Sequence, residues 1–140
     1  MSNEYLEHIN ATVKDLDLAT HFLITAMPSW RVRGRGKMDW FGKPIEWLHV
    51  GTDQSYIALQ SGGEGNGLNW REHQVGVKHI GLVVPSLADV MSRLAQAGFT
   101  VDHLGPTHPY RKSAYFIQAD NLQFEFIEYL SDLVTERNAY

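Results

Sequence analysis

Two histidines occupy the same place in two copies of one strand-like pattern, His8 in EHINATV and His79 in KHIGLVV. In the first copy Ile9, Ala11 and Val13 alternate with His8, Asn10 and Thr12, the period of a half-buried strand. Imidazole titrates near neutrality and is a common metal ligand. A lone strand histidine is more often structural, so the weight falls on the recurrence. The chain has no cysteine, which excludes disulfides and thiolate sites and leaves His, Asp or Glu to hold any metal.

The elements that must position these histidines repeat with them. His8 and His79 are 71 residues apart, and at that offset Leu16, Ala19, Leu23 and Ala26 fall on Leu87, Val90, Leu94 and Ala97. The spacing i, i+3, i+7, i+10 marks one face of a helix, so an amphipathic helix follows each histidine strand. Asp15 and Ser86 occupy the N-cap positions, Asp89 completes a capping-box pattern, and Gly98 supplies a stop. Later in each half TDQSYIALQ lies over ADNLQFEFI at an offset of 67, as Asp53 and Asp120 show. EWLHVG and SAYFIQ read as strands entering hairpins near Asp53 and Asp120, YIALQ and FEFIEY as the returning strands, and WRVRGRG and FTVDHL as the strands before them.

Each half is therefore strand, helix, three strands, and the class is α+β. Module one spans about 4–60, a glycine-rich connector that reads as flexible about 61–76, module two about 77–130, and a polar tail, a short helix or frayed, 131–140. A unit of about sixty residues leaves one sheet face uncovered, and a second copy is the simplest partner for it. One two-module domain with a shared cleft is expected.

Composition narrows the partners. A formal net charge of −4 argues against binding nucleic acid through its phosphates, despite the basic run RVRGRGK. That run also lacks the helix and spacing of a phosphate-binding loop. No apolar stretch approaches bilayer length, and MSNEYLEH has no leader-like pattern, so a cytoplasmic protein acting on small molecules is expected, with no membrane partner.

On these motifs the chain resembles, over nearly its whole length, the vicinal oxygen chelate superfamily, which includes glyoxalase I, extradiol ring-cleaving dioxygenases and the fosfomycin and bleomycin resistance proteins. The resemblance implies two fused βαβββ modules forming a cupped, open-barrel-like mixed sheet with helices outside. It implies metal ligands on the first and last strands of the modules, here His8, His79 and Glu125, the last in DNLQFEFIEY. Asn121 stands where the family's turn usually has glycine, a modest departure because Asn tolerates positive φ. The first-module counterpart of Glu125 is Ala58, which cannot ligate; Gln60, two residues on, points to the same side and could hydrogen-bond to substrate.

Two histidines and a carboxylate suit one divalent ion, with Fe(II) slightly favoured and Mn(II), Ni(II) or Zn(II) possible. The resemblance then implies an enzyme, ring-cleaving dioxygenase-like or lyase/isomerase-like, whose substrate binds through oxygen donors, and commonly a homodimer. The alternative is a metal-free protein that sequesters an aromatic drug or metabolite, as the bleomycin resistance proteins do.

Other residues carry two readings. Glu125 lies between Phe124 and Phe126, so either it or the phenylalanines face a core, while Glu128 should face the other way as a solvated charge. His108 and Tyr110 in THPYRKSAYF are candidates for proton transfer or ordinary turn residues. His49 and His103 are further possible acids or bases, His49 also a core filler. His21 and His73 are surface candidates. Arg111 or Lys112 could meet an anionic substrate or line a solvated edge, and Trp30, Trp40, Trp47 and Trp70 could line a ligand pocket, a subunit interface or a core.

Overall fold

Strand alternation and helical periodicity resolve into the elements the repeat requires. In the computed structural model, which describes residues 3–140, the chain divides into two compact units, Met1–Gly65 and Asn66–Tyr140, and the break falls within the glycine-rich stretch.

The first unit runs β1 (His8–Thr12), α1 (Leu16–Ala26), β2 (Arg31–Trp40), β3 (Lys43–Gly51) and β4 (Tyr56–Gln60). Its sheet has the order β1-β4-β3-β2, with β1 and β4 parallel and the other pairs antiparallel. α1 buries Leu16, Ala19, Phe22, Leu23 and Ala26, and Leu48, Val50, Ile57 and Leu59 are buried on the sheet. By alternation these strand residues share the face toward the helix, which leaves His8, Asn10, Tyr56, Ala58, Gln60, Trp47 and His49 on the helix-free face.

The second unit repeats this with β5 (Ile80–Val83), α2 (Leu87–Gln96), β6 (His103–Leu104), β7 (Arg111–Gln118) and β8 (Leu122–Tyr129), in sheet order β5-β8-β7-β6. Val90, Leu94, Ala114, Phe116, Phe124 and Phe126 form its buried core. Two four-stranded mixed sheets, each with its helix, realise the α+β reading. Both caps are as the sequence requires: Asp15 accepts from the Leu18 N–H at 2.9 Å and Ser86 from the Asp89 N–H at 3.2 Å.

Differences from the sequence reading have local causes. The second unit's second strand shrinks to the two residues of β6, whereas its counterpart β2 extends to ten and turns through Phe41-Gly42, both at positive φ. Glycine takes that geometry freely; Phe41 does so at a steric cost, and the pair carries no Asn-Gly or Asp-Gly signal. The β7–β8 turn places Asp120 at φ 70° and Asn121 at φ 64°, so Asn121 meets the requirement that glycine usually meets.

The connector is tied in part, since the Gly67 N–H donates to the Asp120 carbonyl at 3.0 Å and the Asn121 amide to the Gly67 carbonyl at 3.2 Å. The tail forms α3 (Val134–Arg137) and folds onto Arg111, whose guanidinium donates to the Ala139 carbonyl at 2.9 Å. Arg111 therefore holds the chain end through one guanidinium nitrogen and also lines a cavity with His108 and Lys112. Glu128 is not a solvated charge either: its carboxylate accepts the Leu87 N–H at 3.0 Å and adds a second cap to α2.

Removing either N-cap oxygen leaves helix amides without partners. Asp15→Ala and Ser86→Ala should each cost about 1 kcal/mol of unfolding free energy, read as a lowered urea midpoint with an unchanged slope.

Candidate functional site

The helix-free face of the second sheet gathers polar and aromatic groups around Glu125. Register pairs Gly81, Glu125, Tyr115 and His103 across β5, β8, β7 and β6, so the latter three side chains share a face, joined by His79 just before β5. His79 Nε2 lies 3.1 Å from Glu125 Oε2. The neighbouring phenylalanines take the helix side, which settles which of the alternating residues is core.

Tyr115 completes the group. Burial, then hydrogen bonding and charge repulsion from Glu125, raise its phenol to about 12, so it stays protonated and donates to the carboxylate at neutral pH. The His103 ring is stacked on Tyr115 at 4.3 Å and on Trp70 at 4.9 Å, and its Nδ1 is 2.6 Å from Asp102 Oδ2. Gln123, on the same face, has its amide nitrogen buried without a partner. Tyr115, Asp102 and Gln123 were missed in the sequence; the alternation Ser113, Tyr115, Ile117 along β7 was the available signal for the first.

The first sheet's helix-free face is aromatic. His8 stacks on Tyr56 at 4.8 Å, Tyr56 on His49 at 4.5 Å, and Trp47 meets His49 at 4.9 Å. His8 Nδ1 is 2.9 Å from Glu7 Oε1, a contact that orients its ring. His49 is thus no core filler. Its pKa is lowered by burial first, then by the positive charges of Arg33 and His8. Beside it, Asn10 donates to Gln60 at 3.1 Å, and both line a cavity of about 220 Å³ with Met38, Trp40, Trp47, His49 and Ala58.

His108 stands elsewhere. It lines a cavity of about 440 Å³ at the start of α2, with Leu87, Met91, Lys112 and Glu128. Its Nδ1 accepts the Tyr110 N–H at 3.1 Å, the turn role that competed with catalysis in the sequence reading. Among the described residues, no three His, Asp or Glu side chains are grouped so as to hold a metal ion; of the expected ligands, His79 and Glu125 lie in contact.

Solved structures share this architecture. A glyoxalase/bleomycin resistance protein/dioxygenase domain from Frankia sp. EAN1pec matches with TM-score 0.71 at 24% identity, over 91% of this chain and 99% of that one. A glyoxalase family protein from Bacillus cereus matches with TM-score 0.74 at 15% identity, over 94% and 99%. The fosfomycin resistance protein FosX from Listeria monocytogenes, crystallised with Mn(II) and sulfate, matches with TM-score 0.65 at 20% identity, over 99% and 100%. The chain has the vicinal oxygen chelate fold. No protein-family model and no curated protein matches it.

Within this vicinal oxygen chelate fold, the last strand of the second unit carries a carboxylate and the last strand of the first carries Ala58, whose small side chain opens the floor of the 220 Å³ cavity. One unit presents a carboxylate among polar partners, and the other an aromatic surface with Arg33 over the Tyr56 ring.

The lowered His49 pKa has a defined sign. Because the folded state resists protonation more than the unfolded chain, His49 costs no stability above the ordinary value of 6.5 and reduces it as pH falls below that value toward its folded pKa. An NMR titration should place the His49 midpoint below 6.5, and Arg33→Gln should raise it part of the way while burial still holds it down.

Proposed function

We propose a metal-dependent enzyme that acts on a small molecule bearing oxygen donors, with His79 and Glu125 as metal ligands. The observation that carries this reading is the convergence of His79 Nε2 and Glu125 Oε2, 3.1 Å apart, on the helix-free face. Imidazole and carboxylate together fit a divalent first-row ion. His8 of the first unit is prepared in the same way, since Glu7 engages its Nδ1 and leaves Nε2 available, the arrangement that fixes many ligating imidazoles. Mn(II) in FosX supports a divalent ion in proteins of this fold.

A bound ion would supply Lewis-acid polarisation of a substrate oxygen. The chain's own residues do the rest. Tyr115 donates to Glu125 and holds the carboxylate in place, its high pKa keeping it a donor across the physiological range. Gln123 offers an unused buried donor beside Glu125, suited to an acceptor oxygen. Asp102 orients His103 through Nδ1, leaving Nε2 for proton transfer. Gln60, held by Asn10, would position substrate. Ring cleavage by a dioxygenase would require Fe(II) and oxygen, whereas lyase or isomerase chemistry would run anaerobically with a redox-inert metal.

The second reading, a metal-free protein that binds an aromatic compound, is favoured by the cavity lined by Trp40, Trp47 and His49. Metal content separates the two. Under the preferred reading, purified protein binds one equivalent of a divalent ion, and His79→Ala and Glu125→Gln each weaken binding at least tenfold, in the range of lost ligands or their supports. Full metal retention by His79→Ala, measured by elemental analysis and chelator titration, would exclude His79 as a ligand.

A further inference from the structure

The tryptophan-lined cavity of the first unit is shaped for one kind of molecule. Trp47 lies against β2 at Gly34 and Gly36, and a Cβ on Gly36 would come within 2.8 Å of the indole. A side chain there would force the ring to move, since real Cβ contacts are essentially never so short. The two glycines therefore let the indole lie flat against the strand. With His49 tilted against it at 4.9 Å and Trp40 beside it on the wall, the cavity presents flat π surfaces. Its volume of about 220 Å³, open to solvent beside the exposed Trp40 and Met38, has room for one ring with small substituents.

The polar groups specify the substituent. The Asn10–Gln60 bond uses the amine of Asn10 and the carbonyl of Gln60. That leaves an acceptor, the Asn10 carbonyl, and a donor, the Gln60 amine, on two side chains that line the same cavity. A hydroxyl satisfies both at once, because it donates one hydrogen bond and accepts others. An ether satisfies only the donor, and a hydrocarbon leaves the amide of the buried Gln60 unpaired, a cost that lets such sites discriminate.

We infer that this cavity binds a single hydroxylated aromatic ring, held face-on by Trp47 and at its hydroxyl by Asn10 and Gln60. The inference names the substrate class of the proposed enzyme and rests on the helix-free face receiving substrate, but binding of the ring requires none of the proposed metal ligands.

The test uses phenol, anisole, toluene and cyclohexanol on the chelator-treated full chain, followed by tryptophan fluorescence and by NMR shifts of the Trp47 and Trp40 indole N–H groups. Phenol should bind and shift Trp47, with anisole and toluene at least tenfold weaker and cyclohexanol weaker still. Gly36→Ala, which drives the indole off the strand, should weaken phenol at least fivefold, and Gln60→Leu should bring phenol down to the level of toluene. If Gly36→Ala lowers stability, Gln60→Leu and the ligand series still decide the matter.

Equal affinity for phenol and cyclohexanol, or phenol shifts confined to residues outside the first unit, would overturn the inference. Metal binding measured on the same preparation keeps the two readings separate. Uptake of one equivalent of added divalent ion with no phenol preference refutes the ring site alone, whereas a phenol preference in protein that takes up no added divalent ion refutes the metal centre and leaves the ring site standing.

Discussion

The candidate centre depends on a packing constraint in β8. Phe124 and Phe126 are buried at 2% and 0% exposure on the helix side of the sheet, which by alternation turns Glu125 to the opposite face. Full burial of two phenylalanines is worth about 3–6 kcal/mol in transfer free energy. A one-residue slip would expose both rings and drive the carboxylate beneath α2. The hydrophobic core therefore fixes the direction of the one charge on which the proposed chemistry turns, and it does so whether or not that charge has a partner.

Once so aimed, Glu125 needs partners, because its side chain is only 17% exposed. His79, just before β5, and Tyr115 on β7 supply them from either side. The consequence appears on Tyr115, where hydrogen bonding to a carboxylate adds to burial and raises the phenol to about 12. Charge, donor and imidazole are thus arranged before any ligand arrives, which is the arrangement that spares reorganisation during a reaction. Glu128, three residues on, meets a different fate. Its even position turns it to the helix side, where the free amide of Leu87 at the start of α2 accommodates it.

Much of this was legible in the sequence because the chain is written twice. A helix with its cap, a turn and a histidine each recur at fixed offsets, and recurrence distinguishes a positioned residue from an incidental one. Periodicity alone located α1, α2 and both caps. What stayed hidden depends on neighbours across strands: Tyr115 beside Glu125, Trp70 stacked on His103, and His49 against Tyr56 are contacts of register, and a sequence without register shows only separate aromatic residues. The Phe41-Gly42 hairpin stayed hidden for another reason, since phenylalanine at positive φ contradicts local preference and is held there by the long β2–β3 pairing.

Repetition also makes the departures informative. In the last strands of the two units, Ala58 corresponds to Glu125 and Gln60 to Ile127. On the first sheet the charged position has become small and its neighbour a buried amide, and across the strands stand Trp47, His49 and two glycines. Alanine in place of a carboxylate there removes a group whose burial would otherwise demand a partner, and so permits an aromatic wall beside Trp47 and His49. Side chains on the helix-free face can in this way differ between the two last strands without altering the fold, because the core-facing residues Ile57 and Leu59 remain buried at 3% and 1% exposure.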